Sequence, residues 1–145
     1  MAKDVSGADN ITAVIVNDDL AQLELLAALL DREGIISSPF TSAEKALESL
    51  ERKKPPDLII TCLYMPGIDG WHFCRMLHSP QYAEFNKVPI MVVSATLAES
   101  EPGRIEGDLG VEAFLPTPVE SSQFSAQVRS LLNGCITRIP KKFLL

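Results

Sequence analysis

The stretch TAVIVNDDLAQLELLAALLDREG, residues 12–34, decides the fold. Thr12 to Val16 is a β-rich apolar run of the kind that suits a parallel strand covered on both faces. It stops abruptly at Asn17-Asp18-Asp19, where a strand ends and a helix begins. Leu20, Leu23, Leu26, Ala27 and Leu30 then recur at helical spacing, and Gly34 closes the helix as its C-cap. A strand, a polar turn and a helix are therefore readable from this segment alone.

Outward from that unit the alternation repeats. Ile35-Ile36 opens a short second strand reaching about Pro39. Thr41 or Ser42, with Ser42 preferred, caps a helix carrying Ala43, Ala46, Leu47 and Leu50, which ends at Lys53-Lys54-Pro55-Pro56. Leu58-Ile59-Ile60 is a third buried strand running into Cys62. Turn chemistry follows in Met65-Pro66-Gly67-Ile68-Asp69-Gly70. A helix is expected from about Trp71 to His78, then a loop, then a fourth strand from Pro89 to Val93 ending at Ser94. A further helix over 98–109 is poor in composition: Gly103 and Gly107 each cost about 1 kcal/mol relative to Ala in a helix interior. Pro102 is tolerable there only in a first turn, so this helix starts late. Ala113-Phe114-Leu115 makes a fifth strand. Ser121 or Ser122 caps the last helix, whose apolar stripe is Phe124, Val128, Leu131 and Leu132, and Asn133-Gly134 ends it.

Five strands alternating with five helices predict an α/β domain, (βα)5 and doubly wound, with one five-stranded parallel sheet. In such sheets the site lies beyond the carboxyl ends of the strands. This rule selects Asn17, Asp18, Asp19, Cys62, Ser94 and Thr117.

Bulk properties narrow the function. The 145 residues suit one domain, and a hydrophobic fraction of 46% is enough for a sizeable core. No run approaches the roughly 18–20 apolar residues of a membrane helix, and MAKDVSGADN has no apolar signal region. The expectation is a cytoplasmic protein without membrane contact. Net charge is −6 and the longest basic cluster is Arg52-Lys53-Lys54, which argues against nucleic acid as a partner. Three cysteines, Cys62, Cys74 and Cys135, are odd in number and lack metal-type spacing. Residues 1–10 read as a loose tail, 11–133 as the domain, and 134–145 as a linker with the start of a following domain.

Over about residues 11–133 the chain resembles the receiver domain of two-component response regulators. The resemblance is carried by VNDD (16–19), DLIITCLYMPGIDGW (57–71), VVSAT (92–96) and FLPTPV (114–119), in that order. It implies a flavodoxin-like sheet in the order 2-1-3-4-5. It also implies a cleft where an acidic pair after the first strand and an aspartate after the third hold Mg2+. That aspartate accepts a phosphoryl group from a histidine kinase. A Ser or Thr after the fourth strand and a Lys after the fifth contact the phosphoryl oxygens, neutralising charge together with the metal. Residue by residue the pattern breaks three times. Asn17 stands at the first acidic position while Asp18 keeps the second; Cys62 stands at the phosphoacceptor position; Thr117 stands at the lysine. Ser94 matches, and Phe114 holds the place of the aromatic that reports activation. Asp57 opens the third strand at its wrong end and Asp69 belongs to the Pro-Gly turn, so neither restores the site.

Magnesium prefers carboxylate and carbonyl oxygens, and thiols suit softer metals. One unit-charge pair at about 4 Å is worth roughly 4 kcal/mol at an effective dielectric of 20. The expectation is weak or absent Mg2+ binding, Asp18 being the only retained carboxylate ligand, no other cofactor, and no stable phosphorylation. The resemblance then implies a degenerate receiver in a phosphorelay: not an enzyme, but a regulatory, protein-binding module. Its partners would be a histidine kinase or other signalling domains, with homodimerisation through the face made by 98–109, the fifth strand and the last helix. Gly103 and Gly107 suggest that this face is mobile. Two other readings stay open: a conventional phosphorylation-switched regulator with variant pocket residues, and a thiol or redox sensor through Cys62. A reactive thiol needs a lowered pKa, and Asp18 and Asp19 as neighbours oppose one. His72 and His78 read as a solvated helix face, Trp71 as a packing residue. The basic pair Lys141-Lys142 before Phe143-Leu144-Leu145 resembles the opening of another receiver, as in a hybrid histidine kinase. A tail packed on the sheet is the competing reading.

Overall fold

The computed structural model describes residues 10–94 and 111–132. β1 (Thr12–Val16), β2 (Ile36–Phe40), β3 (Leu58–Thr61), β4 (Ile90–Ser94) and β5 (Ala113–Pro116) form one sheet in the order β2-β1-β3-β4-β5. Every pairing is parallel. α1 (Leu20–Arg32), α2 (Ala43–Leu50) and α3 (Gly70–Leu77) alternate with the first strands, and α4 (Ser121–Leu131) follows β5. The doubly wound α/β architecture expected from the sequence is the one found. The helix expected over 98–109 lies outside the described residues, as do Cys135, the tail over 1–9 and segment 133–145.

Both faces of the sheet are covered, which is why its strands read as unbroken apolar runs. Ala13, Ile15, Leu58, Ile60, Met91, Val93, Ala113 and Leu115 pack with α1 and α4. Val14, Val16, Ile59, Ile90 and Val92 face the opposite way, toward α2 and α3. β3 is buried at all its positions. β2 is the exception, an edge strand with only partial burial. Ile36 N–H donates to Ile11 and Phe40 C=O accepts from Asn17, so alternate residues 36, 38 and 40 turn toward β1. Pro39 therefore faces the open edge, where its missing N–H breaks no ladder and obstructs a further strand.

Helix starts follow side-chain capping. Ser42 Oγ accepts Lys45 N–H at 3.2 Å, as expected. At the end of α1, Gly34 (φ 78°) makes the left-handed turn that lets Ile35 N–H reach Leu30 C=O at 3.0 Å. Asp69 caps α3 by accepting His72 N–H at 2.9 Å, so that helix begins at Gly70 rather than Trp71. Glu120, not Ser121 or Ser122, caps α4: its carboxylate accepts Gln123 N–H at 2.9 Å and Ser122 N–H at 3.1 Å. Ser122 instead donates its hydroxyl to that carboxylate. Between α3 and β4 the expected loop is a 3-10 turn, Pro80–Phe85, kinked at Tyr82. It buries Tyr82 and Phe85 against α2 and α3, and Asn86 Nδ2 ties it down through Leu77 C=O at 2.6 Å and Tyr82 C=O at 3.0 Å. No described helix is long and apolar enough to cross a membrane.

Candidate functional site

Beyond the carboxyl ends of β1, β3, β4 and β5 the sheet opens into a cleft of about 240 Å3, lined by Asn17, Asp18, Asp19, Gln22, Cys62, Tyr64, Val93, Ser94 and Thr117. All six residues selected from strand ends are together. Phe114 is not in the lining; it packs partly buried against the core on the α2 and α3 side. Gln22 and Tyr64 are additions. The signal for Gln22 was its position three residues past Asp19, in the first turn of a helix that starts at the cleft. Tyr64 was signalled only by lying two residues beyond Cys62.

The β1–α1 corner is built by short-range hydrogen bonds. Asn17 is buried, and its Oδ1 accepts Asp19 N–H at 2.9 Å, a local turn that an Asn side chain makes readily. Asp19 Oδ1 accepts Ala21 N–H at 2.9 Å and Gln22 N–H at 3.3 Å, so its carboxylate serves as the cap of α1. Asp18 is exposed. Of the two carboxylates in the cleft, only Asp18 is not spent on starting the helix.

Cys62 extends β3 by donating its N–H to Val16 C=O at 3.1 Å. It is 7% exposed, and its Sγ–H donates to Tyr64 C=O at 3.9 Å. Burial pushes the thiol up to about 11, with the Asp18 backbone N–H opposing and the Asp18 carboxylate adding to the rise. The sulfur at this strand end is a neutral thiol at neutral pH. Ser94 ends β4, buried, and its C=O accepts Thr117 N–H at 3.3 Å. Thr117 precedes Pro118 through a cis peptide bond.

The turn after Cys62 is pinned from two sides. Gly70 N–H donates to Leu63 C=O at 2.7 Å. A Cβ on Gly70 would overlap the Cys62 carbonyl oxygen and lie 2.7 Å from Leu63 Cα, so only glycine lets α3 start this close to β3. From α2, Glu44 Oε2 accepts Ile68 N–H at 3.3 Å beside Gly67, whose φ is 77°.

The remaining candidates lie elsewhere. Asp57 stands before β3, at the opposite end of the sheet, where its Oδ2 accepts Thr12 N–H at 3.0 Å and its own N–H donates to Thr12 C=O at 2.9 Å. It lines a different groove. Asp69 is the α3 cap. His72 is exposed, and His78 places Nδ1 2.9 Å from Cys74 C=O at the end of α3. Cys74 is fully buried, and burial pushes its thiol up to about 12. Trp71 packs partly buried against the core. Among the described residues no group of three His, Cys, Asp or Glu is arranged to hold a metal ion.

Residues 13–129 match the family described as response regulator receiver domain. The chain is 29% identical over 122 residues to the heme response regulator HssR of Staphylococcus epidermidis, covering 84% of this chain and 51% of that protein. It is 33% identical over 118 residues to response regulator MprA of Mycobacterium leprae, covering 81% and 49%. It thus spans about half the length of the curated relatives it matches. A solved signal receiver domain of a signal transduction histidine kinase from Syntrophus aciditrophicus aligns with a TM-score of 0.73 at 26% identity, over 85% of this chain and 90% of that one.

Proposed function

This chain belongs to the response regulator receiver domain family, and from that premise we propose that its cleft does not carry phosphorylation and that it regulates by binding other proteins. The observation that carries this reading is Cys62, a buried and protonated thiol at the end of β3. The family presents at that position the carboxylate that accepts the phosphoryl group. A neutral thiol bonded to Tyr64 C=O supplies neither an oxygen nucleophile nor a ligand for a hard cation. The rest of the donor set is poor for magnesium: Asn17 brings no charge and its Oδ1 is bonded to Asp19 N–H, and Asp19 has Oδ1 committed to the start of α1. That leaves Asp18 as the one carboxylate of the cleft with neither oxygen on the helix cap. Thr117 offers a hydroxyl where a cation would offset charge on a phosphoryl group. Asp57 is no substitute acceptor, since it lies at the far end of β3 with its carboxylate on Thr12 N–H.

On this reading the partners are histidine kinases or other signalling domains, with self-pairing through the β5 and α4 face as a further arrangement. The likeness to the receiver domain of a histidine kinase supports reading the chain as part of a hybrid kinase. A thiol sensor through Cys62 is disfavoured by the upward displacement of its pKa. The test is incubation with acetyl phosphate across a range of Mg2+, followed by intact-mass measurement. No mass gain is expected. A phosphoryl adduct mapped to Asp18 or to any other cleft residue would sink the proposal.

A further inference from the structure

At the amino-terminal end of the sheet, away from the cleft, the edge of β2, the end of α2 and the connection into β3 enclose a groove of about 440 Å3. Ile36 lines it and is 53% exposed, one of the few large apolar side chains so open among the described residues. Leu50 supplies apolar floor, and Pro55-Pro56, with their fixed φ angles, form a stiff wall. Lys53 and Lys54 stand on the rim, both exposed. Neither side chain has a hydrogen-bond or ion-pair partner among the described residues. The acid of this groove, Asp57, has Oδ2 bonded to Thr12 N–H. On a chain of net charge −6, the groove is an apolar seat with a locally positive rim.

The chemistry narrows the occupant. Pro39 on the outer edge of β2 opposes an added strand, so an occupant docks through side chains. Two ammonium groups on an otherwise acidic chain are too few for nucleic acid, and fall short of the cluster of roughly 4–8 that recruits an anionic membrane. We infer that the groove binds an acidic, extended segment of a partner protein. An apolar side chain of that segment seats on Ile36 and Leu50 against the proline wall, and flanking carboxylates meet Lys53 and Lys54. Apolar contact supplies affinity and the lysines supply orientation. This is independent of whether the cleft is phosphorylated.

The test is a backbone-amide NMR titration of the full chain with an acetylated, amidated peptide alternating aspartate and leucine. A peptide alternating lysine and leucine serves as control. Shifts are expected at the amides of residues 36–38, 49–54 and 57 with the acidic peptide only, while the amides of Asp18 and Cys62 stay in place. Lys53→Ser with Lys54→Ser should weaken binding about fivefold, and Ile36→Ser by about the same factor. Equal binding of the basic peptide, or undiminished binding by the Lys53→Ser, Lys54→Ser variant, overturns the proposal. So does indifference to Ile36→Ser, which would reduce the groove to bare charge, or the absence of any shift there. Concentration-dependent shifts in the groove without peptide would assign it to a second copy of this chain and overturn it as well.

Discussion

Cys62 and Asn17 bring different losses to the cleft. Asn17 keeps an oxygen in place and uses it to close the β1–α1 corner on Asp19 N–H, so local geometry survives without the charge. Cys62 keeps the strand-end position but exchanges an anion for a buried neutral group. Burial penalises its thiolate, so the folded chain holds this proton more tightly than the unfolded one. The associated stability is fully present below the ordinary thiol value of 9.0 and is lost as pH rises through about 11. That displacement is worth at most roughly 3 kcal/mol, and less where water in the cleft screens the charge. Cys74, pushed up to about 12, acts in the same direction. Urea midpoints should therefore fall as pH is raised from 9 toward 11, and less steeply in Cys62→Ser. Alkylation of Cys62 by iodoacetamide should show its half-maximal rate far into the alkaline range; a half-point below 9.0 would restore the thiol-sensor reading.

At the scale of elements, the turn between β3 and α3 is where local chemistry and close packing meet. Asp69 contributes a cap, whose loss in Asp69→Ala costs about 1 kcal/mol. Gly70 contributes space, and Gly70→Ala drives a methyl group into the Cys62 carbonyl and the Leu63 backbone. Because backbone cannot swing aside as a side chain can, the expected cost is about 3 kcal/mol. Denaturant titrations of the two variants check the order, and equal losses would mean that the turn relaxes. Capping was legible in part. Ser42 and Gly34 use the commonest residue types for their positions and stand at the edge of clear apolar periods. Glu120 was not legible, because two serines follow it and a Glu caps only when its longer side chain folds back on the first turn. The Pro80–Phe85 turn was missed because so short a segment gives no helical period; Tyr82 and Phe85 are its only buried anchors.

For the whole molecule, the cleft should be silent toward the ligands of an ordinary receiver. A ligand that binds only the folded state adds about 2.7 kcal/mol at a hundred times its Kd, roughly 5–10 °C in Tm for a chain of this size. Mg2+ with beryllofluoride is expected to leave Tm unchanged, and EDTA likewise; a saturable rise with either added ligand would return the chain to the phosphorylation switches. By itself the sequence determined the five strands, their parallel order through the family resemblance, and the group Asn17, Asp18, Asp19, Cys62, Ser94 and Thr117. The strands and the group follow from hydrophobic periods and turn residues close in the chain, together with the rule that strand ends meet; the order is what the resemblance implies. Only tertiary structure decided that Asp57 spends its carboxylate on Thr12, 45 residues away, and that Gln22 and Tyr64 join the cleft. It alone decided how far burial lifts the Cys62 thiol, and that Ile36, Lys53 and Lys54 share one groove. Each of these depends on which distant segments exclude water from one another, a property of the packed chain that no local run of residues carries.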